Sequence, residues 1–198
     1  MTTDVLPVVG AASAYRPPHM GTWTVADYEQ LPDDGPRYEI VQGDLRMAPA
    51  PLVGHQDVSI RLAFLLFDRI TNRGLGRVLA APTDVELAFD TILQPDLLVV
   101  LPENRAQITS HRVIGPPDLI IEITSPSTAS YDRREKRDAY ARAGVREYWI
   151  ADPATQTVEL LVLAGNQFEP IAIYTGAAII PSRVLAVWGV PTRQLFGG

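Results

Sequence analysis

The chain has 198 residues, is 46% hydrophobic, carries a formal net charge of −6 and contains no cysteine. That length suits one domain with a sizeable core, and that composition excludes a wholly disordered chain. The missing thiols exclude disulfides and thiolate metal sites. With His19, His55 and His111 as the only imidazoles, any metal site must be mainly oxygen-ligated. The acidic balance argues against a broad electrostatic grip on nucleic acid. Even so, six of the seventeen cations lie between Arg133 and Arg146, enough for a locally positive surface.

Residues 1–20 lack periodicity and read as a flexible arm, leaving 21–198 as a single expected domain. Thr24 to Leu31 suits a short helix with Thr22 or Thr24 as cap, stopped by Pro32 to Pro36. Arg37 to Met47 reads as a hairpin turning at Gln42-Gly43, which sets Val41 against Asp44 and Glu39 against Arg46. Residues 56–72 give the strongest helix signal. They are apolar around much of the circumference, as for a helix buried on more than one side.

Strand signals follow at Arg77 to Ala81, Asp84 to Phe89, Asp96 to Leu101 and Asp118 to Thr124. The last two are continuous apolar runs, the pattern of central strands covered on both faces. A helix through Tyr131 to Tyr140 ends at Gly144, Glu147 to Ala151 returns as a strand, and Thr157 to Tyr174 forms a C-terminal hairpin. This alternation predicts a mixed α/β fold around one sheet. The apolar runs are strand-sized and the N-terminus has no basic region followed by an apolar core, so a cytoplasmic protein without a membrane span is expected. The apolar helix and the edge strands suit a homodimer.

The chemistry centres on three residues. Lys136, the one lysine beside sixteen arginines, falls on the stripe of Ala139, Tyr140 and Ala143 and therefore faces inward. An ion pair with Asp132, one turn earlier, is the structural alternative. Glu122 interrupts the interior of an apolar strand, where an unpaired carboxylate is costly. Asp96 opens the other apolar strand, so the two carboxylates converge if those strands are neighbours. Two carboxylates without thiolate or imidazole suit Mg²⁺ or Mn²⁺. Asp118 shares the parity of Glu122 but lies roughly 13 Å away along the strand, which suits a strand-start role better. Lys136 also has a purely structural reading, a buried ion pair with Glu122.

Pro95-Asp96, then Glu122-Ile-Thr124, resembles the PD-(D/E)XK nuclease signature, with Thr124 in the place of its lysine. Lys136 looks like the relocated lysine of some members of that superfamily. More specifically, Tyr38-Glu-Ile-Val-Gln-Gly-Asp-Leu45, Gln94-Pro-Asp-Leu-Leu-Val-Val100, Pro117 to Thr128, Glu135 to Trp149 and Asp152-Pro153 resemble the bacterial putative restriction endonuclease family over residues 22–190 or so. The resemblance implies a restriction-endonuclease-like core, a mixed sheet flanked by helices. It implies Asp96 and Glu122 as metal ligands, Glu39 as a further acidic member and Lys136 as the catalytic lysine. For Glu39 the alternative is the cross-strand pair with Arg46.

Under that resemblance His55, at the start of the long helix, contacts substrate or orients a water, unless it is an ordinarily solvated helix-start residue. Arg133 and Arg137 are candidates for tracking a nucleic-acid backbone. The implied activity is Mg²⁺- or Mn²⁺-dependent hydrolysis of phosphodiester bonds in DNA. Its rival is a catalytically silent nucleic-acid-binding or assembly module on the same fold, favoured by the acidic charge and by Thr124.

Overall fold

A computed structural model describes residues 18–32, 37–48, 50–126 and 128–197. Most of the expected arm and of the turn from Pro32 to Pro36 lies outside them. Thr24 is the cap of α1 (Val25–Tyr28): its hydroxyl accepts from the Asp27 amide while the Asp27 carboxylate takes the Thr24 amide. The strands β1 (Tyr38–Val41) and β2 (Asp44–Met47) form the expected hairpin in the expected register. Its turn residues Gln42 and Gly43 both have positive φ, 51° and 79°, as a two-residue turn of this hand requires.

The long helix α2 (Val53–Leu66) runs into a π turn at Phe67–Thr71. Seven strands follow: β3 (Arg77–Ala80), β4 (Asp84–Ala88), β5 (Thr91–Leu93), β6 (Leu97–Val100), β7 (Gln107–Ile108), β8 (Arg112–Ile114) and β9 (Leu119–Ile123). Then α3 (Ala129–Tyr131), a π turn at Asp132–Lys136 and α4 (Arg137–Ala143) run on directly, until Gly144 at φ 95° closes the helix. The strands β10 (Glu147–Asp152), β11 (Thr157–Ala164) and β12 (Gln167–Thr175) complete the set.

The strands divide into two six-stranded sheets rather than one, in the orders β2-β1-β5-β4-β8-β7 and β12-β11-β10-β9-β6-β3. The short β5 makes this division, because it pairs with both β1 and β4 and so draws the hairpin away from the apolar strands. In the second sheet β9 runs parallel to β10 and antiparallel to β6. One face of that sheet carries Leu97, Ile121, Ile123 and Trp149. It packs on Leu62, Leu66 and Ile70 and on the C-terminal segment through Leu185 and Trp188. The other face carries Leu98, Ile120, Tyr148 and Ile150, against Tyr140 of α4 and Val41, Val85 and Val113 of the first sheet. The central strands are thus covered on both faces, which is why they read as unbroken apolar runs.

The long helix is buried on one side only. Val58, Leu62 and Leu66 face the core, while Val53, Ile60 and Phe64 are 87%, 71% and 72% exposed. Among the described residues no helix is long and apolar enough to cross a membrane.

Candidate active site

The register of β6 and β9, Leu97 with Ile121 and Leu98 with Ile120, carried one residue on, sets Asp96 opposite Glu122. Both carboxylates therefore arrive at the same end of the sheet. Asp96 Oδ2 is tied to β9 by the Ile123 amide at 2.7 Å. The face of β9 that bears Glu122 looks toward α4. There Lys136 Nζ lies 3.0 Å from Glu122 Oε1 and the Tyr140 hydroxyl donates to the same oxygen at 2.6 Å. From the first sheet, Glu39 Oε1 comes within 2.9 Å of Lys136 Nζ and also accepts the Gln94 amide at 2.8 Å. Glu39 and Arg46 are Cα partners in the hairpin, but Arg46 pairs with Glu135 at 2.5 Å instead. Lys136 likewise takes Glu39 and Glu122 as partners rather than Asp132.

Asp132 sits on the same π turn as Lys136 and is as deeply buried, at 3% against 6% exposure. Burial, opposed by Lys136 and reinforced by Asp96 and Glu39, pushes its carboxyl up to about 6. Burial likewise raises Glu122 well above the usual carboxylate range. Lys136 opposes that rise, while Asp96, Asp132 and Glu39 add to it. Burial works against the Lys136 ammonium, but Glu122, Glu39 and Asp132 outweigh it and hold the lysine charged. Four carboxylates, Glu39, Asp96, Glu122 and Asp132, thus line a cavity of about 180 Å³ together with one ammonium. A low-dielectric site with this excess of negative charge either retains protons or attracts a cation.

The donor set fits a hard divalent ion. Both hydrogen bonds to Glu122 fall on Oε1 and both side-chain bonds to Asp96 fall on Oδ2, so each carboxylate keeps its second oxygen for another ligand among the described residues. No three Asp, Glu or His side chains there are grouped closely enough to bind an ion alone. Two carboxylates supplemented by a backbone oxygen and water match Mg²⁺, which characteristically keeps several waters.

His55 is not a solvated helix-start residue: its Nε2 lies 3.0 Å from Asp96 Oδ2, and its Nδ1 is buried without a partner. Arg133 and Arg137 are directed elsewhere. Arg133 pairs with Glu159 of β11, and Arg137 donates to the Phe168 carbonyl of β12 at 2.7 Å. The arginines at the cavity are Arg37 and, beside it, Arg46, which the sequence offered only as a cross-strand partner for Glu39. Thr124 does not line the cavity; its hydroxyl accompanies the Ala151 carbonyl at 3.4 Å. Asp118 acts at the far end of β9, where it accepts the Leu101 amide at 2.7 Å and pairs with Arg146 at 2.9 Å.

Residues 25–193 match the Uma2 family, described as putative restriction endonuclease. The chain belongs to that family. Its membership supports a nuclease-like function. The crystal structure of a putative nuclease belonging to DUF820 from Anabaena variabilis ATCC 29413 superposes with a TM-score of 0.74 at 19% identity, covering 88% of this chain and 97% of that one. That likeness shows the fold, a restriction-endonuclease-like arrangement of mixed sheets flanked by helices. No curated protein matches the chain.

Proposed function

We propose that the protein is a Mg²⁺- or Mn²⁺-dependent endonuclease that hydrolyses phosphodiester bonds of DNA. The observation that carries this reading is the convergence of Asp96 and Glu122 at one sheet end, beside a buried lysine and two further carboxylates. Asp96 and Glu122 would hold the ion, with the Ile123 carbonyl as a backbone ligand and Glu39 as an outer acid. When bound, such an ion activates water and polarises the phosphate.

The remaining work falls to the chain itself. Lys136 Nζ, held charged by its acidic neighbours, orients the attacking water and offsets charge developing on the phosphate oxygens. Tyr140, whose phenol is raised well above its ordinary value by burial and by Glu122, stays a donor and fixes Glu122 Oε1. His55 fixes Asp96 Oδ2. Arg37, which lines the cavity, takes the substrate backbone in place of Arg133 and Arg137.

Supercoiled, linear and single-stranded DNA incubated with either ion tests this reading. Cleavage by the parent should fall about 100-fold or more in Lys136→Ala. Unchanged cleavage would remove the lysine from catalysis. The acidic net charge and Thr124 favour a second reading, a catalytically silent nucleic-acid-binding or assembly module, which predicts no turnover with any ion.

The protein is further proposed to pair with a second copy through the stripe of Val53, Ile60, Phe64 and Phe67 on α2 and its following turn. Sedimentation should show a dimer that Phe64→Glu converts to monomer. A parent that sediments as a monomer at high concentration contradicts the pairing.

A further inference from the structure

A second chamber, of about 360 Å³, opens beside the first and shares Glu39, Thr128, Asp132 and Lys136 with it. At roughly 30 Å³ per water it exceeds what a hydrated ion or a phosphate needs. Its remaining walls have a different chemistry. Tyr131 contributes an aromatic ring with the Arg46 guanidinium 5.0 Å from its centroid. Glu135 pairs with that guanidinium at 2.5 Å on the open side of the chamber. The Tyr131 hydroxyl is buried and finds no partner of good geometry, although Glu39 is near enough to raise the phenol after burial has done so. His55 Nδ1 and Gln94 Oε1, both on residues lining the first chamber, are also buried without a partner. Orphaned polar atoms of this kind call for water or a ligand.

An aromatic ring, an arginine plane and an unsatisfied hydroxyl next to a phosphate site suit a heterocyclic base. The depth of the site points the same way. Glu39, Glu122, Asp132 and Lys136 are 2%, 3%, 3% and 6% exposed, so a phosphodiester must descend below the surface to reach them. A base within a duplex cannot enter the neighbouring chamber without being unpaired and unstacked, at a cost of a few kcal/mol. We infer that the second chamber receives an unpaired nucleobase adjoining the scissile phosphate, and that the substrate is a single or frayed strand rather than an intact duplex. This rests on the phosphodiesterase reading and specifies its substrate.

Fluorescence anisotropy with Ca²⁺ present tests it on the unaltered protein. The three probes are a labelled single-stranded DNA of mixed sequence, its fully paired duplex, and a deoxyribose-phosphate strand of equal length without bases. The single strand should bind roughly tenfold or more tighter than either of the others. Tyr131→Leu, which removes the chamber's ring and hydroxyl, should erase that preference once circular dichroism shows it folded. Equal affinity for all three probes, or binding of none, overturns the inference.

Hydrolysis of bis(p-nitrophenyl) phosphate with Mn²⁺ reads the reacting groups separately. Absent turnover with base-dependent binding intact would end the catalytic reading alone. Turnover with equal binding of all three probes would end the chamber alone.

Discussion

Glu122 and Glu147 lie on neighbouring parallel strands, at 3% and 0% exposure, yet the chain treats them in opposite ways. Glu147 is satisfied by its own protein. Oε1 accepts the Trp149 indole and the Ser182 hydroxyl, each at 2.6 Å, and Oε2 accepts the Arg183 and Val184 amides at 2.7 and 3.3 Å. These bonds tie the C-terminal segment to the start of β10, so the carboxylate works as a clamp. Glu122 receives two donors on one oxygen and has three further carboxylates around it. Burial alone therefore does not mark a functional acid. The informative difference is whether the fold has finished satisfying it.

Exchanging each acid for its amide should separate the two roles. Glu122→Gln should lower metal-dependent cleavage about 1,000-fold or more while leaving the metal-free protein at least as stable as the parent, since it removes an under-compensated charge. Glu147→Gln should do the reverse. Its amide nitrogen would face two of the four donors, costing on the order of 2–4 kcal/mol in denaturant titration, with cleavage retained below the melting transition. If the two stability changes proved equal, the contrast between site and clamp would fail.

Asp132 gives a smaller effect that depends on pH. Its folded value of about 6 lies above the ordinary 3.8, so the stability it contributes is full below pH 3.8 and is lost as pH rises through about 6. With chelator present, Asp132→Asn should gain on the parent between pH 4 and 7.5 by on the order of 2–3 kcal/mol. A difference independent of pH would mean that Asp132 is not held in the strained state described here.

Much of this site was legible because strand parity and helix periodicity carry directional information. Glu122 broke an apolar run, Lys136 fell on an inward stripe, and the start of β6 placed Asp96. Glu39 came from resemblance, and the geometry then gave it Lys136 instead of Arg46. Asp132 was read only as an ion-pair partner for Lys136, because helical spacing alone could not show that a second strand and a hairpin supply closer carboxylates. Arg46 was read only as the partner of Glu39, and Gln94 and Tyr131 were given no role at the site, since the meeting of these residues depends on the sheet of β1, β2 and β5. That sheet was hidden in turn by the three-residue β5, too short for any periodicity. The burial of α2 was overestimated for a related reason: an apolar circumference does not say whether the chain itself supplies the second cover.

Calorimetric titration of Mn²⁺ into the metal-free parent, Asp96→Ala and Glu147→Gln addresses the central claim most directly. Binding of at least one ion per chain is expected in the parent and in Glu147→Gln, with affinity lost at least tenfold in Asp96→Ala. No binding by the parent, or binding untouched by Asp96→Ala, would contradict the assignment of the carboxylate cluster as a divalent-metal site.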